Sequence, residues 1–201
     1  MEQKILQTFL YNHKLKFNQI EKLLKERSNK LAYHLNNLKN KGILTKTKET
    51  YQLSPSAEPI IPHITKKQSP LPVILITLKN KNNIFLHKRN KRPFKDLLGL
   101  PGGRIIEGET IAQATRRIMK EKFNINCNFK NINSISLEQV SKKENINHSF
   151  LLILVKATTK DNLTYSDIKN NKNKIIKSDY KILTNDLNKE IKIKNINWKL
   201  N

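Results

Sequence analysis

Apolar residues fall along this chain in two rhythms, and the rhythm changes near residue 54. Over residues 1–53 they recur at helical spacing. Ile5, Leu6, Phe9 and Leu10 lie on one side of a segment from about Glu2 to His13. A second segment begins near Asn18, placed to cap it with Glu21 at the reciprocal position, and carries Ile20, Leu23 and Leu24. After a tight connection at Glu26-Arg27, Ser28 is placed to cap a third helix with the stripe Leu31, Leu35 and Leu38. Gly42 supplies its C′ position. Two β-type runs, Ile43 to Thr47 and Thr50 to Leu53, flank Lys48-Glu49 and predict a hairpin.

Five of the seven prolines fall between Ser54 and Pro72. That density excludes a helix or a central strand and predicts a semi-extended linker, on which Ile60, Ile61 and Ile64 can dock on either side. Beyond it the rhythm is mostly that of strands. VILITLK (Val73 to Lys79), a turn at Asn80 to Asn83, and Ile84 to His87 predict a hairpin. Ile132 to Val140 and Phe150 to Ala157 predict two more strands around the polar turn SKKENINH. The second is a continuous apolar run suited to a covered sheet centre. Residues 158–177 have little periodicity and predict a mobile loop. Tyr180 to Leu187 reads as a closing strand and the start of a helix. The expectation is an α+β chain of two domains, 1–54 and 72–201, joined by a Pro-rich linker at 55–71.

Between these strands lies LPGGRIIEGETIAQATRRIMKEKFNI, residues 100–125. Thr110 and Gln113 form a capping box, and Ile111, Ala114, Ile118 and Ile125 make one apolar stripe. The stretch resembles the Nudix box, in which a glycine is followed after five residues by a glutamate, and after seven more by an arginine that opens a glutamate-rich helical motif. Gly103, Glu109, Arg117, Met119, Glu121 and Ile125 match; Ile118 and Lys122 stand where the family has helical glutamates, and Asn124 replaces the closing glycine.

The resemblance implies an α/β/α sandwich acting on nucleoside diphosphate derivatives. It implies Mg²⁺ held by helical glutamates and the Gly102 carbonyl, here reduced to Gly102 and Glu121, with Glu121 as the surviving catalytic carboxylate. It implies ligand-binding roles for Arg89, Gly102, Gly103, Arg104, Glu109 and Arg117, with Arg92 a further candidate. Arginine suits phosphate through its planar fork of donors. Glu107 and Glu109 are candidate acids, although Glu109 in this box more often braces the loop against the helix. A further acid from the late region has three candidates, Asp161, Asp167 and Asp179, each read first as a surface residue.

SNKLAYHLNNLKNKGILTKTKETYQLSP, residues 28–55, resembles the recognition helix and wing of winged helix-turn-helix domains. The resemblance implies a helix in the DNA major groove. The side chains off the leucine stripe are Asn29, Lys30, Tyr33, His34 and Asn37, while Lys30, Lys46 and Lys48 are suited to phosphates. A protein-interaction module with a solvated polar face is the competing reading.

A net charge of +23 permits a polyanionic partner. Its distribution is even, with eleven basic and four acidic residues in 1–53 and twenty-eight against twelve in 54–201, so it points to no single face. No apolar run approaches ~18 residues, the N-terminus lacks a signal-like core, and the single cysteine, Cys127, excludes an internal disulfide. These features predict a cytoplasmic protein with no membrane partner. The leading expectation is a DNA-binding regulator, monomer or homodimer, whose Nudix-like domain senses a nucleotide-type small molecule and requires no cofactor. The alternatives are an Mg²⁺-dependent hydrolase with an accessory winged helix, and a scaffold binding RNA or protein.

Overall fold

The structure is a computed structural model that describes residues 1–64, 69–142 and 145–193. Its contacts divide the chain into two units, Met1–Gln68 and Ser69–Asn201.

In the first unit, α1 (Glu2–Thr8), α2 (Phe17–Leu24) and α3 (Ser28–Asn40) pack with a three-stranded sheet of β1 (Leu15–Lys16), β2 (Leu44–Thr47) and β3 (Thr50–Leu53). The strand order is β1-β3-β2, antiparallel throughout. Ile5, Ile20, Leu31, Leu35, Leu38 and Leu44 meet in one core with essentially no exposure. The Leu31–Leu35–Leu38 stripe is therefore the buried face of α3.

Five local expectations are corrected. The first helix ends at Thr8, because Leu15 leaves it to pair with Tyr51 as a strand. The second helix starts at Phe17, one residue before Asn18, and Gln19 Oε1 accepts the Lys16 N–H at 2.7 Å. Leu23, expected inside, is 57% exposed. The cap of α3 is Arg27, and Ser28, its first helical residue, donates to Glu21 Oε1 instead. Gly42 ends α3 with φ +69°, and the hairpin turns at Lys48 with φ +55°. The prolines after Ser54 do not prevent helical turns: Pro55–His63 is a run of 3-10 turns. Such turns restart readily, and a proline that opens one forfeits no hydrogen bond. Ala57 and Ile64 are buried there.

The second unit is built on a sheet ordered β11-β5-β4-β10-β9, with β8 pairing β4. Its strands are β4 (Leu71–Asn80), β5 (Asn83–Ile84), β8 (Gly102–Arg104), β9 (Asn128–Lys142), β10 (Asn145–Thr158) and β11 (Ser166–Asp167). A small ladder of β6 (His87–Lys88) and β7 (Leu98–Gly99) stands apart. The apolar run of β10 is central, parallel to β4 and antiparallel to β9.

Alternation along these strands builds two cores. Ile74, Ile76, Leu78, Ile153 and Val155 meet α4 (Ile111–Phe123) through Ala114, Ile118 and Met119. Leu75, Leu152 and Leu154 meet α5 (Lys177–Asp186) through Ile182 and Leu183. A period of two sends neighbouring side chains to opposite layers, so one apolar run serves both helices.

Three further expectations are corrected. Residues 158–177 are not a featureless loop: β11 pairs with β5, Lys172–Lys174 is a 3-10 turn, and Ile175 and Ile176 are buried. Isolated apolar residues tie this stretch down without any period to announce it. The stretch from Tyr180 continues α5 to Asp186 in place of a closing strand, since Asp179, Ile182 and Leu183 fall on one buried helical face. The hairpin strands also run further into SKKENINH than expected, to Lys142 and from Asn145.

Candidate functional site

The site grows from the approach of α4 to β8. A Cβ on Gly103 would lie 2.9 Å from Ile118 Cγ1, and one on Gly102 would lie 2.7 Å from the Ile74 carbonyl oxygen. Both glycines are thus required by close packing. Thr110 caps α4 as expected: its Oγ1 accepts the Gln113 N–H, and Gln113 Oε1 accepts the Thr110 N–H. Asn124 closes the helix at φ +54°, the left-handed conformation expected there.

On its polar side α4 carries Arg117, whose guanidinium binds four oxygens. Nε donates to Glu109 Oε1 at 2.5 Å, and Nη2 to Glu109 Oε2 at 2.9 Å and to the Arg104 carbonyl at 3.0 Å. Nη1 reaches Glu121 Oε2 at 3.2 Å. Glu109 Oε2 also accepts the Ile106 N–H at 3.0 Å. The Arg117 guanidinium holds the Glu109 carboxyl below its usual range. Glu109 and Arg117 thereby brace the loop against the helix. Glu121 stays accessible, with its side chain 59% exposed.

Lys122, one turn further on, sends its ammonium to the Gly102 carbonyl oxygen at 2.5 Å. Although the side chain as a whole is exposed, its amine end is partly desolvated. That desolvation, reinforced by the positive charges of Arg89, Lys91 and Arg117, lowers its pKa.

A cleft of about 420 Å³ opens beside this contact. It gathers Arg89, Arg104, Gly102 and Gly103 from the expected ligand set, together with Arg92. It also gathers Lys122 and the candidate acid Asp179, with Lys91, Glu138 and Phe150, which sequence reasoning left out of the site. A second hollow of about 460 Å³ is lined by His87, Lys88, Asn90 and Phe123, and shares Arg89, Lys91, Gly102 and Lys122 with the first. Arg89 is anchored by its Nε, which donates to the Pro93 carbonyl at 3.2 Å.

Asp179 is the chief correction among the late acids. It is 5% exposed, and its Oδ2 accepts the Leu100 N–H at 2.8 Å. Burial pushes its pKa up to about 7, although the Leu100 N–H favours the carboxylate. The signal available in sequence was its place just after the apolar pair Ile175-Ile176. Asp167 serves a local turn, accepting the Asn170 N–H, whereas Asp161 ties its loop to the Asn126 N–H, 35 residues away in sequence. With five cations, Glu138 and a half-neutral Asp179, the cleft is strongly electropositive.

In the first unit, the exposed face of α3 carries Asn29, Tyr33, Asn36 and Asn40, with Lys30 and Lys39 exposed beside it. Asn36 and Asn40 were missed by sequence reasoning, although helical spacing from Asn29 and Tyr33 reaches both. Tyr33 is 63% exposed. Asn37 is half-buried, and His34 turns its Nδ1 toward Glu2, 4.0 Å away. Lys30 lies 3.4 Å from Glu26, Lys46 sits over the Tyr51 ring, and Lys48 is exposed in the hairpin turn.

The model of the NUDIX domain matches residues 69–175, more than half of the chain. The chain belongs to the Nudix family. Similar solved structures include a Nudix hydrolase from Nitrosomonas europaea, 18% identical, covering 70% of this chain and 82% of that one, with a TM-score of 0.48. The Nudix domain of Shewanella oneidensis NrtR, complexed with ADP ribose, is 14% identical, with 59% and 86% covered and a TM-score of 0.47. A bifunctional NMN adenylyltransferase/ADP ribose pyrophosphatase from Francisella tularensis is 18% identical, with 83% and 50% covered and a TM-score of 0.46. No curated protein matches the chain. No helix among the described residues is long and apolar enough to cross a membrane.

The residues present do not fit the Mg²⁺ that the family implies. A hard cation needs several oxygen ligands. Here the Gly102 carbonyl is engaged by an ammonium, Ile118 is fully buried, and Glu121 pairs with Arg117.

Proposed function

We propose that this protein is a DNA-binding transcriptional regulator whose Nudix domain binds a nucleoside diphosphate-type metabolite without a divalent ion. The observation that carries the ligand half is the Lys122 ammonium on the Gly102 carbonyl, beside a cleft that concentrates Arg89, Lys91, Arg92 and Arg104. Such a cleft attracts diphosphate by its own charge. The DNA half is supported by three helices and a small sheet in the order of a winged helix, with Asn29, Tyr33 and Asn36 on an outward face. Asparagine is suited to the donor and acceptor edge of adenine in the major groove.

A regulator needs a ligand that binds its two DNA states with different affinity. The test is a titration of labelled operator DNA, selected from a random pool by the protein itself, with and without ADP-ribose in EDTA. A change of several-fold in operator affinity, a coupling on the order of 1–3 kcal/mol, is the expected result. Ligand binding with unchanged operator affinity would sink the sensor reading.

Hydrolysis of nucleoside diphosphate derivatives is the second reading, favoured by Asp179, a cleft acid with a pKa of about 7. It predicts a Mg²⁺- or Mn²⁺-dependent turnover of ADP-ribose that collapses in Glu121→Gln. The regulator reading expects no such turnover.

A further inference from the structure

We propose that Lys122 is a built-in replacement for the divalent cation: its ammonium, tethered by α4, is the central contact for the diphosphate of a ligand whose two ends occupy the two hollows. The inference rests on the reading of the cleft as a ligand site and adds which residue holds the anion and how the ligand lies.

Position is the first argument. The ammonium is 2.5 Å from the Gly102 carbonyl oxygen and would be 3.2 Å from a Cβ placed on Gly103, so it sits against the glycine turn itself. The carbonyl oxygen that the family would offer to a metal here accepts a proton donor instead. An ammonium has three donors, and one is used on Gly102. Two remain for phosphate oxygens.

Charge is the second. The neighbours that act on Lys122 are Arg89, Lys91 and Arg117, opposed by Glu121, and Arg117 is already engaged by Glu109. Lys122, Arg89 and Lys91 form a cationic group whose charge the protein leaves largely unbalanced. An anion with charge spread over several oxygens answers that arrangement better than a single carboxylate.

Shape is the third. Gly102, Lys122, Arg89 and Lys91 line both hollows and therefore form the wall they share. One hollow continues to Phe150 and Asp179, the other to His87 and Phe123, whose rings meet edge to face at 4.9 Å. A diphosphate over the shared wall leaves room for an organic group on either side. A diphosphate esterified at both ends is the ligand class that this arrangement favours over a terminal triphosphate.

The experiment is calorimetric titration of the full chain with inorganic pyrophosphate and with ADP-ribose, in EDTA and in Mg²⁺. Wild type should bind each ligand as tightly in EDTA as in Mg²⁺, with ADP-ribose the tighter of the two. Lys122→Met should weaken pyrophosphate binding in EDTA by about ten- to a hundredfold, the effect of one lost charge-assisted hydrogen bond. Lys130→Met, which removes an exposed lysine on β9, should leave it unchanged. In Lys122→Glu, binding in EDTA should vanish and Mn²⁺ affinity, read by electron paramagnetic resonance of the free ion, should rise. Unfolding midpoints matched to wild type check that each variant is folded, and Arg104→Ala supplies a second loss at an exposed position. His87→Ala should weaken ADP-ribose and spare pyrophosphate.

Wild-type binding that requires Mg²⁺, equal losses in Lys122→Met and Lys130→Met, or full affinity in Lys122→Met would each overturn the assignment. Loss of operator coupling with pyrophosphate binding intact would overturn the regulator reading alone.

Discussion

Two helices of equal length, α3 and α4, thirteen residues each, make opposite use of their polar faces. Both bury a narrow apolar stripe: Leu31, Leu35 and Leu38 in one, Ala114, Thr115, Ile118 and Met119 in the other. On α4 several polar groups bond within their own unit, while Arg116 and Lys120 stay exposed. Thr110 caps, Arg117 binds Glu109, Glu121 and the Arg104 carbonyl, and Lys122 binds the Gly102 carbonyl. On α3 no side chain caps the N-terminus, and Asn29, Tyr33, Asn36 and Asn40 project outward. A helix whose polar side is bonded internally holds a site in place. One whose polar side is open presents a surface to a separate partner. That contrast is the basis on which we propose ligand binding at α4 and nucleic-acid binding at α3.

The largest effects should fall where the two helices are alike. Leu35→Ala and Ile118→Ala each empty a position with no exposure, and each should cost about 2–5 kcal/mol in denaturant unfolding. If one of them is nearly neutral, its helix is not held by the stripe.

Asp179, on the side of the sheet away from α4, tests whether the cleft is tuned by burial. With a folded pKa of about 7 against an ordinary 3.8, the folded protein keeps a proton that the unfolded chain releases. That stabilisation is complete below about pH 4 and is lost as pH rises through 7. Asp179→Asn should remove the slope and exceed wild-type stability above pH 7, by on the order of 1–3 kcal/mol. Thermal unfolding across pH 4–9 reads this directly. Parallel curves for the two proteins would show that Asp179 is not held neutral by its surroundings.

Binding should separate the helices next. Tyr33→Ala and Asn36→Ala should leave stability within about 0.5 kcal/mol of wild type while weakening operator DNA by roughly 1–3 kcal/mol for each base contact. Lys46→Ala and Lys48→Ala should weaken all duplexes alike and flatten the salt dependence. Equal effects on random and selected DNA would reduce α3 to a non-specific surface.

The smallest effects sit at the helix starts. Thr110→Ala removes a working cap and should cost about 0.5–2 kcal/mol. Ser28→Ala, which loses only an exposed bond to Glu21, should cost less than about 0.5 kcal/mol. Reversed magnitudes in chemical unfolding would contradict the cap assignments.

Much of the fold could be read without coordinates, and the reasons are local. The capping box at Thr110, the left-handed stop at Asn124, the leucine stripe of α3 and the apolar run of β10 each express a rule acting within one helix or strand. The misses share the opposite cause. Leu15 became a strand only because Tyr51 lies opposite it, and Pro55–His63 took up 3-10 turns over a buried Ala57. Ile175 and Ile176 are buried in a segment with no period at all.

The candidate site divides along the same line. From sequence alone came the paired glycines, Glu109 as a brace of the loop against the helix, the arginines of the cleft, and the loss of carboxylates at Ile118 and Lys122. Most sit within one contiguous motif, residues 100–125, and Arg89 and Arg92 leave the strand just before it. Only tertiary structure brought Asp179 to the Leu100 amide, seventy-nine residues away in sequence, and Lys122 to the Gly102 carbonyl. The pKa of a buried acid and the partner of an ammonium depend on what the rest of the chain places around them. No spacing within a motif encodes that, because desolvation and hydrogen bonding are set by atoms from distant segments.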